Sequence, residues 1–381
     1  MTATQLHIKD RHRRQMRDLA SLDNFIWEEG EPIDAELIIT NPNISLYCLD
    51  DSRQEAIFVV LPDEIDLAQV PFVYQAQFDY AENLIAVPYQ EFLQLADTIT
   101  GDASQLICIH NVGRCGSTLF SQALNQLETV TALSEPDVFA NFITIRHTPR
   151  EEQIRLLQAC YKMMFRPAVV GETTRFVLKF RNHCVDIMDV FAEAFPTAKH
   201  LFMYRNGMDW LASLYRIIYK TGRANLRLTV PEAITQHAKY FNRPKHEFTT
   251  IFDPAYETFS LPFCRAMLWV HMMNRYVDLY DGGFRPITIR YEDLVDHREQ
   301  MLSTIFNQLG LSESDISQAR TAFSRDSQAG TRMARDDAQL GNTIQLPEAD
   351  VQAVQAFMAT QPKLNRPDVI LEGTLSVKTI L

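Results

Sequence analysis

A short turn with two glycines and an arginine follows the apolar run LICIHN (106–111) and leads into the helix-like sequence STLFSQALNQL. Its residues are, in order, Gly113, Arg114, Cys115, Gly116, Ser117 and Thr118. Two glycines permit a tight turn that brings backbone N–H groups close to an oxyanion, and a helix N-terminus adds unpaired donors and partial positive charge. The arginine adds a full charge with forked donors, and the hydroxyls can cap the helix or donate to phosphate oxygens. The pattern predicts an anion site.

This turn has other interpretations. Any strand–glycine–helix turn with a serine cap shares part of the pattern. A Walker A loop needs glycine, four residues and then Gly-Lys-Ser/Thr, but the position five after Gly113 is Thr118 and the turn contains no lysine. An ATP-type phosphate loop is therefore a poor fit.

A second basic position ends the apolar run KHLFMYR (199–205). Arg205 would emerge at the carboxyl end of a strand, and Ser213 lies two turns along the helix predicted through MDWLASLYRIIYK. Both side chains can point to the crevice at that edge of a sheet. The alternative is a surface arginine and a serine that only packs the helix.

The elements that must position these residues alternate between strands and helices from about residue 104. Four short apolar runs are each followed by a helical pattern: LICIHN (106–111), RFVLKF (175–180), KHLFMYR (199–205) and PITIRY (286–291). This alternation predicts an α/β fold with a central parallel sheet and helices on both faces. In such sheets the ligand binds at the carboxyl ends of the strands.

Residues 1–100 are predicted to form an N-terminal α+β extension of unknown role, before a second domain at 101–381. The charged start of the chain predicts a helix, and PYQEFLQLADTI predicts another. The runs ELIITNP, SLYCLD and AIFVVLP predict short strands separated by turns.

Composition and charge exclude several classes of function. The net charge of −12 over 381 residues argues against a nucleic-acid partner. The six cysteines and ten histidines show no metal-ligand spacing, so no metal is expected, and free thiols suit the cytoplasm. No run of 18 apolar residues occurs, so no membrane span is expected.

In combination, these residues resemble the sulfotransferase family that uses 3′-phosphoadenosine 5′-phosphosulfate (PAPS), in its bacterial and carbohydrate-type branches. The family's 5′-phosphosulfate loop has a basic residue, a small residue, glycine and two hydroxyl residues, and residues 114–118 fill those places in order, with Cys115 where serine is common. Its 3′-phosphate is held by an arginine that ends a strand and a serine eight residues later, which Arg205 and Ser213 match. The resemblance covers about residues 104–335. It implies the P-loop-kinase-like sulfotransferase fold, PAPS as donor, adenosine 3′,5′-bisphosphate (PAP) as product, and no metal.

Two later stretches enter this resemblance. RYEDLVDH (290–297) looks like the family's late strand–helix segment and is expected to serve folding rather than chemistry. The family also closes the nucleotide with a late basic loop that often ends Gly-Asp-Trp, an ending that this sequence lacks. The nearest candidate is SRDSQAGTRMARD (324–336), where Arg332 would help to cover the 3′-phosphate or adenine. An ordinary solvated loop is the alternative.

The resemblance also implies catalytic residues. Arg114 would offset charge on the bridging oxygen, and Lys179, in LKFRNH, would reach the sulfonate oxygens unless it is merely a solvent-exposed strand-end lysine. An acceptor hydroxyl needs a general base. Glu135, in LSEPD, stands where carbohydrate-type members often place that base, although Glu-Pro is also an ordinary start of a helix. His183 is the second candidate, since histidine titrates near neutrality and is the base in the aryl branch.

The predicted reaction is therefore in-line transfer of a sulfonate group from PAPS to a hydroxyl or amine of a small-molecule or carbohydrate-like acceptor. Two other functions remain open from the sequence. One is a different P-loop nucleotide-dependent, kinase-like transferase, and the other is a noncatalytic nucleotide-binding protein.

Overall fold

The computed structural model describes residues 1–13, 15, 18–145, 148–252, 257–324 and 344–376. The chain divides into two units. The first unit consists of Met1–Ile109, Phe120–Lys199 and Gln318–Ala322. The second consists of His110–Leu119, His200–Ser317 and Phe323–Leu381.

Strands and helices are numbered here in chain order over the described residues. The strands β1 to β12 are Thr2–Arg11, Phe25–Asp34, Ile44–Asp50, Glu55–Val60, Asn83–Pro88, Leu106–Asn111, Val130–Ser134, Arg175–Lys179, Lys199–Tyr204, Arg227–Thr229, Thr258–Ser260 and Ile287–Arg290. The α-helices α1 to α15 are Leu37–Thr40, Val73–Tyr80, Tyr89–Asp97, Ser117–Leu124, Asp137–Ala140, Arg150–Met164, Pro167–Val170, Met188–Ala194, Gly207–Lys220, Val230–Phe241, Leu261–Asp281, Tyr291–Asp296, Arg298–Leu309, Glu313–Ala319 and Glu348–Ala359.

The first unit begins with a sheet in the strand order β2-β1-β5-β4-β3, whose neighbouring strands pair in antiparallel register. The charged start of the chain, expected to be helical, is instead strand β1, because pairing with β2 and β5 satisfies its backbone and buries Ala3 and Leu6. The run ELIITNP, expected to be a strand, contains helix α1, and its C-cap Asn41 is extended because a residue that precedes proline disfavours the α conformation. Strands β3 and β4 and helix α3 lie where the sequence places them.

One hydrophobic cluster joins the N-terminal sheet to the rest of the first unit. It contains Phe58 and Phe92 from the first hundred residues and Phe139, Phe180 and Phe191 from the later segment, each 1% exposed or less. Truncating such a buried phenylalanine to alanine typically lowers the free energy of unfolding by about 3–5 kcal/mol. The boundary near residue 100, between the N-terminal extension and the second domain, stays a prediction.

A second sheet has the strand order β12-β9-β6-β8-β7. The pairs β12–β9, β6–β8 and β7–β8 are parallel, and helices flank the sheet. The predicted α/β fold class is thereby confirmed. Strand β7 is a finding beyond the four expected strands: its five residues are all buried, and a run this short has no periodicity that separates a strand from a loop.

The C-terminal segment covers the open edge of this sheet at β12. Leu375 N–H donates to the Thr288 carbonyl over 2.9 Å, and the Tyr276 hydroxyl joins the Thr288 hydroxyl at 2.7 Å and donates to the Glu372 carbonyl over 2.7 Å. Covering an edge strand removes a template for unwanted pairing with another chain. It also holds β12, and with it Arg290, in place.

Candidate functional site

The predicted anion-binding turn lies in the second unit and has an unusual backbone. Gly113, Arg114 and Gly116 all adopt positive φ, at 74°, 52° and 77°. Such a conformation is easy for glycine but costs an L-residue such as arginine free energy, and this kind of strain concentrates at ligand sites. The Asn111 side chain braces the turn, because its Oδ1 accepts the Gly113 N–H over 2.9 Å.

Strand β9 and helix α9 fix the position of this turn. Val112 N–H donates to the Met203 carbonyl over 3.1 Å, and the Cys115 thiol donates to the same oxygen over 3.3 Å. The indole of Trp210 donates to the Val112 carbonyl over 2.9 Å. Cysteine therefore has a packing role at the position where the resemblance expects serine. Ser117 and Thr118 follow at the start of α4 and are 3% and 6% exposed.

Gly116 is required for a second reason. A Cβ atom at this position would lie 2.8 Å from two ring carbons of Tyr291. Real Cβ atoms essentially never come so close to another heavy atom. The turn therefore packs directly on an aromatic ring that the sequence analysis did not select.

The two predicted basic corners meet within the second unit. Arg114 Nε donates to the Ser213 hydroxyl over 3.0 Å, and Arg205 Nη1 donates to the Arg114 carbonyl over 3.4 Å. Ser213 is 6% exposed and faces inward from α9. Arg114, Arg205 and Ser213 thus lie together at the left-handed turn.

Residues at the carboxyl end of β12 also contact Arg205. Its guanidinium carbon lies 4.7 Å from the centre of the Tyr291 ring, and its Nε lies 3.7 Å from Glu292 Oε1. Arg290 Nε lies 3.3 Å from Glu292 Oε2. These three residues were not among the predicted site residues, because RYEDLVDH was expected to serve folding. The available signal was an arginine that ends a strand, as Arg205 does.

The predicted catalytic lysine and glutamate form an ion pair in the first unit. Lys179 Nζ contacts Glu135 Oε1, and the Glu135 N–H donates to the Lys179 carbonyl over 2.6 Å. The parallel register that pairs Ser134 with Lys179 brings them together. Lys179 is only 2% exposed, so it is not a solvent-facing strand-end lysine.

Glu135 occupies a strained position that the fold holds. Its φ is 58°, in the left-handed region that a non-glycine residue seldom adopts. Its carbonyl accepts the Tyr74 N–H over 3.3 Å, so the N-terminal hundred residues contribute directly to its placement. Strain of this kind persists only where the surroundings determine the conformation.

A buried charge network lies beside this pair. Asp137 is fully buried and accepts from Arg181 Nη1 over 2.9 and 3.0 Å and from Arg13 Nη2 over 3.1 Å. Both guanidinium groups lie over the ring of Tyr74, at 4.6 Å for Arg181 and 5.1 Å for Arg13. Burial by itself lowers the pKa of Arg181, but the charge of Asp137, with Tyr74 and Glu135, raises that pKa above its ordinary value. Glu135 therefore interacts with the charge of Arg181 as well as with that of Lys179.

His183, the second candidate for the base, lies in the 3-10 segment Asn182–Ile187 and is 5% exposed. Burial lowers its pKa well below the ordinary histidine value, and the charge of Arg181 lowers the pKa further. The imidazole is therefore neutral at physiological pH. The choice between Glu135 and His183 stays a prediction.

Three further predictions concern the late loop with Arg332, metal binding and a membrane span. Arg332 and its loop lie outside the described residues, apart from Ser324 at the start of the loop. Within the described part of the chain, no group of three or more histidine, cysteine or acidic side chains could hold a metal ion. Over the same residues, no helix is both long and apolar enough to cross a bilayer.

Comparison with known proteins returns solved structures only. No protein-family model matches the sequence, and no curated protein does. The sulfotransferase from Alicyclobacillus acidocaldarius is 20% identical over 60% of this chain and 93% of its own, with a TM-score of 0.33. Sulfotransferase STF9 from Mycobacterium avium is 12% identical over 75% of this chain and 81% of its own, with a TM-score of 0.37. Mouse sulfotransferase SULT7A1 in complex with PAP is 12% identical over 71% of this chain and 87% of its own, with a TM-score of 0.36. Likeness at this level leaves the function to be argued from the residues themselves.

Proposed function

We propose that this protein is a sulfotransferase that uses PAPS as its donor. One observation carries the proposal: Arg114 and Ser213 share a hydrogen bond of 3.0 Å while Arg205 donates to the carbonyl of the same Arg114. Two cationic side chains and a left-handed turn, in which Gly113 precedes Arg114 and Gly116 follows Cys115, thereby converge in a way that suits a doubly phosphorylated nucleotide.

Each end of the donor has its own set of partners in this proposal. The turn from Gly113 to Thr118 and the N-terminus of α4 bind the 5′-phosphosulfate, because backbone N–H groups and a helix N-terminus stabilise an anion. Arg205 and Ser213 bind the 3′-phosphate. The turn has no lysine, which argues against a kinase of the Walker A type.

The reaction is an in-line displacement at sulfur. The acceptor oxygen or nitrogen forms a bond to sulfur, the bond from sulfur to the bridging oxygen breaks, and that oxygen stays on the 5′-phosphate of PAP with its electron pair. Arg114 and the turn N–H groups stabilise the charge that develops on the bridging oxygen. The acceptor proton passes to the general base.

We assign the base to Glu135 and contact with the sulfonate oxygens to Lys179. The two groups neutralise each other in the absence of substrate, since Lys179 Nζ contacts Glu135 Oε1. A sulfonate that attracts the ammonium group would leave the carboxylate available to accept a proton. The neutral, deeply buried His183 is the alternative base. The acceptor is a hydroxyl or amine of a small-molecule or carbohydrate-like compound.

Two measurements test the function. Isothermal titration calorimetry of the full chain should show micromolar or tighter binding of PAP without added metal, and weaker binding of ATP with Mg²⁺. Sulfur-labelled PAPS, incubated with a panel of sugar, phenol and amine acceptors, should then give labelled product. Tight binding of Mg-ATP without binding of PAP would contradict the proposal, and binding of PAP without any turnover would favour a noncatalytic nucleotide-binding protein.

A further inference from the structure

Three charged side chains at the ends of β9 and β12 form a cluster in the second unit. Two of them, Arg290 and Glu292, have no role in the proposed function. Glu292 lies between the two arginines, with its Oε1 3.7 Å from Arg205 Nε and its Oε2 3.3 Å from Arg290 Nε. Over the part of the chain that the structure describes, Arg205 Nε, Arg290 Nε and Glu292 Oε2 are buried and make no hydrogen bond. Buried polar atoms in this condition are rare in folded proteins and often mark a site for a missing ligand or water.

The sheet places the two arginines at the same edge. Strands β9 and β12 pair in parallel, with Arg290 opposite Tyr204, the residue before Arg205. Both guanidinium groups therefore emerge where parallel strands end and ligands bind. Tyr291, the next residue, lies under Arg205 and against Gly116 of the anion-binding turn. Arg290 thus belongs to the same neighbourhood as the turn.

Glu292 connects the parts of this neighbourhood. Its Oε1 accepts the N–H of Asn206, the N-cap of α9, over 3.1 Å while it faces Arg205. Its Oε2 faces Arg290. The carboxylate therefore fixes the direction of Arg205 relative to the start of α9, without a hydrogen bond that would satisfy either arginine Nε.

Charged residues of both signs lie at this place. The guanidinium groups of Arg205 and Arg290 face the carboxylate of Glu292, and Arg114 Nε donates to the Ser213 hydroxyl. Asp293 interacts with Arg290, although burial raises the pKa of its carboxyl. In a protein of net charge −12, arginines held together beside a phosphate-type turn favour an anionic ligand.

We propose that Arg290 is a third arginine of the anion site, where it binds the second phosphate of a nucleoside bisphosphate, and that Glu292 is the positioning residue for Arg205 and Arg290. A terminal phosphate monoester suits this cluster, because it carries up to two negative charges and three oxygens that can accept from two guanidinium groups at once. The inference rests on the proposed function and names residues that distinguish a bisphosphate from a monophosphate.

Calorimetry with PAP and with adenosine 5′-monophosphate (AMP) tests this inference on the full chain. We expect Arg290→Gln to weaken PAP binding at least tenfold while AMP binding changes less than twofold, and Arg290→Lys to recover part of the loss. Arg285→Gln is the matched control, because Arg285 lies before the other end of β12, exposed and stacked on Tyr280. It should leave both affinities unchanged.

Glu292→Gln separates positioning from simple charge balance. If Glu292 only balances charge, its neutralisation makes the site more positive and should tighten PAP binding. If it positions Arg205 and Arg290, PAP binding should weaken at least threefold despite the added positive charge, while AMP binding stays constant. Tighter binding of PAP would therefore overturn the positioning role.

The outcomes also separate this inference from the proposed function. Failure of the wild type to bind either nucleotide would contradict both. Wild-type binding of PAP that survives Arg290→Gln and Arg290→Lys unchanged would overturn the inference and leave the proposed function standing. Thermal melting of each variant identifies one that fails to fold, and the lysine variant then provides the comparison.

Discussion

Arg114 Nε donates a hydrogen bond of 3.0 Å to the hydroxyl of Ser213, a residue 99 positions further along the chain. The bond joins the turn after β6 to the middle of α9. A strained backbone at Arg114 and a buried hydroxyl on α9 thus support each other before any ligand binds. Such preorganisation lowers the entropic cost of binding a ligand.

The basic corners provide the first prediction. Arg114→Ala and Arg205→Ala should each weaken PAP binding at least tenfold, or about 1.4 kcal/mol, because each removes a charged donor from the place where the turn and α9 meet. Calorimetry measures the change. Arg216→Ala, an exposed arginine on the same helix, should leave the affinity unaltered. Wild-type affinity in both test variants would place the nucleotide elsewhere.

Glu135 provides the second prediction. Glu135→Gln should leave PAP affinity within about twofold and lower turnover of labelled PAPS by about a hundredfold or more, the usual effect of losing a general base. The amide keeps the shape of the side chain and can still accept from Lys179. The assay uses an acceptor that the wild type sulfonates. Unchanged turnover would move the base to His183 or to another residue.

The buried charge network provides the third prediction. Asp137→Asn should lower the free energy of unfolding by about 3–5 kcal/mol, because two guanidinium groups would remain buried without their carboxylate. Urea denaturation measures the change. Asp209→Asn, on the exposed face of α9, should change the free energy of unfolding by no more than about 0.5 kcal/mol. A small effect at Asp137 would mean that solvent reaches Arg13 and Arg181.

A histidine pair provides the fourth prediction. His110 Nε2 lies 3.2 Å from His200 Nδ1, and the two rings stack at an angle of 9°. Burial lowers the pKa of His110 well below its ordinary value, and the charge of His200 lowers it further. Below pH ~6.5 the unfolded chain therefore binds a proton that the folded chain does not, so stability should fall with acid by up to about 1.4 kcal/mol per pH unit.

His110→Gln tests this dependence. Between pH 7 and pH 5 the loss of stability on acidification should become shallower than in the wild type, measured by urea denaturation at each pH. His246→Gln, at an exposed position, should keep the wild-type slope. An identical slope in the His110 variant would show that other groups control acid unfolding.

The sequence alone determined the local features. The turn from Gly113 to Thr118 could be selected because glycines, a basic residue and hydroxyls before a helix are typical of an anion site, although an ordinary capped turn shares part of the pattern. Arg205 was selected because it ends a strand, and Ser213 because it lies two turns along the next helix. The alternation of strands and helices indicated the α/β class. Each inference needed only residues close together in the chain.

Tertiary structure decided what those residues contact. The β7–β8 register produced the contact between Glu135 and Lys179, and this ion pair excludes the alternative of a solvent-facing lysine. Strand pairing also converted the charged N-terminus from an expected helix into β1, because sheet hydrogen bonds and burial outweigh local propensity. The first hundred residues then supplied Arg13 and Tyr74 to the surroundings of Glu135.

Arg290 and Glu292 show the same limit most clearly. The sequence RYEDLVDH does not indicate that Arg290 and Arg205 share the carboxylate of Glu292. That arrangement depends on the pairing of β12 with β9, which lies far away in the sequence. The sequence thus identified candidate groups for an anion site. The packing of strands that are distant in the sequence decided which of them meet, because register and core packing, rather than local propensity, set such contacts.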